Sequence, residues 1–121
     1  MDAKQELFER FGKLFIERVR DWQIDYIDAF LEQQGPQAEI YKKELDTMSP
    51  EQIEMVKILG TQWVDIALHD LLFVLEGADW IHLRLESEDT VLEDIRRATS
   101  GDLQGYLSIW AEKYSKKRQP G

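Results

Sequence analysis

Cysteine is absent from this 121-residue chain, which excludes a disulfide framework, a thiolate metal site and a cysteine nucleophile. The absence fits a reducing compartment, and we expect a cytoplasmic protein. The opening Met-Asp-Ala-Lys-Gln-Glu lacks the basic then apolar profile of a signal peptide. No stretch approaches 18 consecutive apolar residues, because Asp65, His69, Asp70 and Glu76 interrupt the most apolar region; no membrane span is expected. A Walker A sequence, a Gly-rich phosphate loop and a Gly-x-Ser-x-Gly elbow are all missing. Histidine occurs only as His69 and His82, without the Glu-x-x-His pairs of a di-iron bundle. These absences predict no catalytic residue, no metal and no cofactor.

What is present is enough to fold. Hydrophobic residues make up 43% and aromatics 11%, so one domain spanning 1–121 has a core without staples. The formal charge is -9, and it is unevenly spread. Lys113, Lys116, Lys117 and Arg118 cluster near the end with no acid among them, which leaves the rest at -13. A body this acidic repels nucleic acid and anionic membranes and attracts basic proteins.

The period of the apolar residues predicts a mainly α fold: four main helices at about 3–34, 50–76, 88–99 and 102–116, plus a short helical turn at 37–46. In the first, Phe8, Phe11, Phe15, Val19, Trp22, Tyr26 and Phe30 form one apolar face, Gly12 permits a slight bend, and Gly35-Pro36 supplies the stop. Ser49-Pro50-Glu51-Gln52 has the composition of a capping box opening the second long helix. Its middle is apolar on most sides, which predicts a central helix nearly enclosed by its neighbours. Ile81, Leu83 and Leu85 alternate with His82, Arg84 and Glu86, predicting an extended or strand segment near 80–86 without an evident partner. Residues 117–121 are expected to fray.

Three groups of residues are candidate sites. Glu17, Asp21, Asp25, Asp28 and Glu32 fall within a strip roughly 80° wide on the first helix. Like charges at such spacing repel, so a retained row suggests a positive partner; the basic tail is either a solubilising end or an intramolecular partner for the strip. On the other side, Ile16, Ile24, Ile27 and Leu31 form a second apolar ribbon, a candidate dimer interface. Asp70 projects among Leu59, Trp63, Ile66 and Val74, where a carboxylate needs a partner such as Arg84, His82 or Tyr26. Asp65 and His69, one turn apart, are expected to make a surface hydrogen bond rather than half a metal site.

The leading expectation is a small non-enzymatic protein-binding module that uses the acidic strip against a basic protein. Immunity proteins and antitoxins use this chemistry, associating quickly through charge; that likeness is one of composition and surface chemistry. A structural homodimer or assembly subunit is the alternative, and a small-ligand pocket centred on Asp70 the third reading.

Overall fold

Asp2 opens the first helix by accepting the Gln5 backbone N–H at 2.8 Å, one of the bonds a helix start lacks. In the computed structural model, which describes residues 1–121, α1 (Ala3–Phe15) runs into a π-turn (Ile16–Arg20) and then α2 (Asp21–Leu31) without a break. A π-turn holds one extra residue, and at 3.6 residues per turn that rotates everything after it by about 100°. The inward side therefore passes from the expected Val19, Tyr26 and Phe30 to Arg20, Ile27 and Leu31, each one residue later. Val19, Trp22 and Tyr26 are exposed, while Ile16, Ile24 and Leu31 are buried. The ribbon proposed as a dimer interface is thus interior to the single chain, with Ile27 packed beside Leu31.

Gln33, at φ 59°, and Gly35, at φ 88°, turn the chain after α2. Pro36 then begins α3 (Pro36–Ile40) instead of merely ending the helix before it, and α4 (Lys42–Asp46) follows. Ala38 and Leu45 from these short helices close over Leu31. The predicted capping box is present: Ser49 Oγ accepts the Gln52 N–H at 3.1 Å, and Gln52 Oε1 accepts the Ser49 N–H at 2.8 Å. It opens α5 (Pro50–Gly77). Arg20 meets Asp65 and Ile27 lies over Gly60, so α5 runs antiparallel to the first rod.

Leu85 and Leu92, with Glu86 and Val91, are the paired residues of a small antiparallel hairpin, β1 (Leu85–Glu86) and β2 (Val91–Leu92). The partner missing from the sequence reading sits inside the stretch expected as a helix over 88–99. Val91 and Leu92 go into the hairpin, and Asp94 accepts the Arg96 N–H, leaving only a 3-10 turn at Ile95–Ala98. Another 3-10 turn (Leu103–Gly105) leads into α6 (Tyr106–Tyr114), shorter than the expected 102–116. The hairpin region is tied to the end of α5 by Arg96, which donates to the Glu76 and Ala78 carbonyls at 3.4 and 3.3 Å.

The core gathers Phe8, Phe15 and Ile16 of the first rod with Leu68 and Leu72 of α5 around Trp110 of α6, which is fully buried. Gly12 has a role other than bending. A Cβ built there would lie 2.3 Å from the Trp110 indole, so the bare backbone is what lets the ring lie against α1.

The expectation for α5 fails. Its buried residues are Thr61, Asp65, Leu68 and Leu72, and most of its apolar side chains point away from the rest of the chain. The helix turns its more polar side inward because Asp65 and Thr61 find partners there, described next.

Candidate functional site

The π-turn places Arg20 wholly inside the protein, with no exposed surface. A buried guanidinium requires acceptors for its whole donor fork. Asp65 provides two, at 2.6 Å from Nε and 3.2 Å from an Nη. The other bonds go to the chain end: Ser115 Oγ at 3.1 Å and the Arg118 carbonyl at 2.7 Å. Asp65 is therefore the buried carboxylate of α5, not a surface partner of His69.

Ser115 to Arg118 run across the acidic strip. Asp21 accepts the Ser115 hydroxyl at 2.6 Å and the Lys116 N–H at 2.9 Å. Lys116 Nζ lies 3.8 Å from Glu17 and Lys117 Nζ 2.5 Å from Asp25. The hydrogen bond and charge of Asp25 hold the Lys117 ammonium above its ordinary pKa. Arg118 grips Asp28 through both terminal nitrogens, at 3.0 and 2.9 Å, and donates from Nε to Thr61 at 2.7 Å. Four of the five strip acids, Glu17, Asp21, Asp25 and Asp28, thus already have a basic or backbone partner from their own chain. Glu32 ends α2 as its cap. The expected fraying of 117–121 does not extend to Lys117 and Arg118.

Asp70 is in neither arrangement. Its side chain is 71% exposed, 3.3 Å from His69. The expected partners lie elsewhere: His82 meets Asp94 at 2.9 Å, and Arg84 lies 3.1 Å from Glu86 and 3.5 Å from Glu93. Arg96 hydrogen-bonding, partly opposed by burial, holds Asp94 well below the usual carboxylate range. A shallow cleft of about 580 Å³ beside Asp70 is bordered by Gln62, His69, Ser108 and the chain end. No lysine or arginine borders it, and the structure brings no three His, Asp or Glu residues into a metal-binding cluster.

One further polar cluster escaped sequence reading. Glu9, buried between α1 and α6, accepts from Trp110 Nε1 at 3.3 Å, Lys113 at 3.1 Å and the Tyr114 hydroxyl at 2.6 Å. Burial alone would raise the Glu9 pKa; the bonds from Tyr114, Lys113 and Trp110 outweigh it and leave the group lowered. Burial and the Glu9 charge push Tyr114 up to about 12. The cluster fastens α6 to α1.

The largest unpaired feature is the outer face of α5. Trp63 is 68% exposed, Phe73 58% and Ile66 55%, with Met55, Val56, Leu59, Leu71 and Val74 open beside them. Together these side chains leave on the order of 800 Å² uncovered, above the 300–600 Å² of the largest patch on a typical monomer. No polar group on this face is arranged for chemistry.

Comparison with protein-family models, with curated proteins and with solved structures finds no match for this chain.

Proposed function

We propose that this chain is a non-enzymatic protein-binding module whose docking surface is the outer face of α5, covered in the working protein by another protein's apolar surface. The observation that carries the reading is the inversion of α5: it buries Thr61 and Asp65 and leaves Trp63, Ile66 and Phe73 open. Leaving that much apolar area in water forfeits about 25 cal/mol for each Å² a partner would cover. The open area is also comparable to the roughly 800 Å² that one partner brings to a standard interface.

A bilayer is the other environment that covers such a face. By length and composition α5 is long and apolar enough to cross one, although charges interrupt it. Against a bilayer stand Asp70 in the middle of the open face and the Arg20–Asp65 ion pair behind it, because charge at membrane depth is expensive. A protein surface tolerates one carboxylate at its edge or opposite a polar group.

Equilibrium unfolding of a Trp63→Lys/Ile66→Lys variant tests this reading. If the face is for docking, the chain, unfolded at a concentration low enough to keep it monomeric, keeps its helical circular dichroism and loses less than about 1 kcal/mol. A loss of roughly 4 kcal/mol or more, as for core deletions, would show that these residues hold the fold together and would end the proposal.

The acidic strip supports a second reading, in which a basic partner of the kind bound by immunity proteins and antitoxins takes the place of the tail. The observation in its favour is that the strip already holds a basic segment, through Arg118 on Asp28 and Lys117 on Asp25. Arg118→Glu should loosen the tail and increase salt-sensitive binding of a lysine-rich peptide. Unchanged binding would leave the strip as an internal clasp.

A further inference from the structure

Resting on the α5 reading, we infer that the partner is a second copy of this chain, joined by antiparallel packing of the two α5 helices about a two-fold axis near their middles. The open face is a continuous seam: Val56, Leu59, Trp63, Ile66, Asp70 and Phe73 follow one another at steps of three, four, three, four and three. That is the 3.5-residue period with which helices pack side by side, knobs into holes. Met55, Leu71 and Val74 flank the row and widen the apolar face. The seam extends over the exposed length of α5 and ends near its C-terminal Gly77.

Area and shape fit a copy. Two faces of about 800 Å² make a standard interface near 1,600 Å², and a two-fold contact needs only one self-complementary patch. The direction follows from Asp70. Parallel helices would oppose Asp70 to Asp70 in the seam, two like charges in a desolvated site. An antiparallel pair centred between Trp63 and Ile66 sets those two side chains against each other and places Leu59 opposite Asp70. The carboxylates are then separated by the length of several turns, each at 1.5 Å per residue. The basic tails stay on the acidic strips, on the other side of the molecule from the seam, since Asp65 and Thr61 face them from the inner side of α5.

The natural lack of cysteine makes the test direct. Leu59→Cys and Asp70→Cys proteins are oxidised separately and as a mixture. The expected product is a disulfide in the mixture, with little from either alone. Efficient Leu59→Cys self-crosslinking would mean parallel helices and would overturn the arrangement. Sedimentation equilibrium supplies the second arm. Asp70→Leu should tighten association roughly tenfold by removing a charge from the seam, and added salt should strengthen it by screening two chains of -9. A wild-type monomer at ~100 µM, a concentration at which even a weak specific dimer forms, overturns the inference. If the lysine double variant is still folded in that case, the open face survives as a surface for a different protein. If that variant unfolds, both readings fall together.

Discussion

Arg20 is the residue on which three parts of the chain converge. It sits between α5, through Asp65, and the tail, through Ser115 and the Arg118 carbonyl. Removing one member of a buried ion pair leaves the other charge uncompensated, at a cost of about 3–5 kcal/mol. Asp65→Asn and Arg20→Ala should each lower stability by that amount in urea melts. Arg20→Met with Asp65→Leu should recover part of the loss, because these two charges leave together while Asp21, 3.7 Å from Arg20, stays buried. Gly12 is constrained by shape instead of charge. Gly12→Ala, elsewhere a helix-favouring change, should here destabilise by about 1–3 kcal/mol through overpacking against Trp110. Glu9 and Tyr114 give the fold a dependence on pH at both extremes. The Glu9 pKa is lowered in the folded state, so its contribution is complete above the unfolded carboxylate value and disappears as the pH falls through the folded one. Tyr114, raised to about 12, favours the folded state fully below the unfolded tyrosine value near ~10 and loses that contribution as the pH rises towards 12. Spectrophotometric titration should show one tyrosine ionising late, and Tyr114→Phe should remove that step.

Among the elements, the first rod shows how far periodicity carries and where it stops. Its start, its helical character and the capping box of α5 are all local, set by Asp2, by the spacing of Phe8 and Phe15, and by Ser49 with Gln52. The π-turn has no such local signature. One added residue at Ile16–Arg20 sends Val19, Trp22 and Tyr26 outward and brings in the ribbon of Ile16, Ile24, Ile27 and Leu31. The trace left in the sequence is that Arg20 falls within that ribbon, at spacings of four, four, three and four. The 88–99 segment misled for another reason: Val91, Leu92 and Ile95 satisfy a helical spacing, yet pairing with Leu85 and the Asp94 side chain claims the backbone first. On α5 the apolar side was legible, but the side that packs was not. Asp65 is carried inside by a partner 45 residues away, which no local pattern reports. The strip and the tail were each visible, and of the two roles read for the tail the structure shows it paired with the strip. The tail's contribution is concentrated in Arg118. Arg118→Ala should cost about 1–3 kcal/mol through its charge-assisted bonds, measured by thermal melting, whereas Lys116→Ala, at a mostly exposed ammonium, should change little.

At the scale of the whole molecule, charge and greasiness are separated. The acidic strip is clasped by the basic tail on one side of the α2–α5 pair, and the apolar seam lies open on the other. A net charge of -9 opposes unspecific aggregation through that seam. Assembly also couples to stability: if two copies close over α5, melting temperature should rise with protein concentration. The most direct measurement is the solution mass by light scattering, wild type beside Ile66→Lys, both checked for helical circular dichroism. We expect wild type at twice the 14.3 kDa chain mass, falling towards the single-chain value on dilution, and the folded variant at the single-chain mass throughout. Wild type at the single-chain mass at every concentration, or a variant that remains dimeric, would contradict an interface on the outer face of α5.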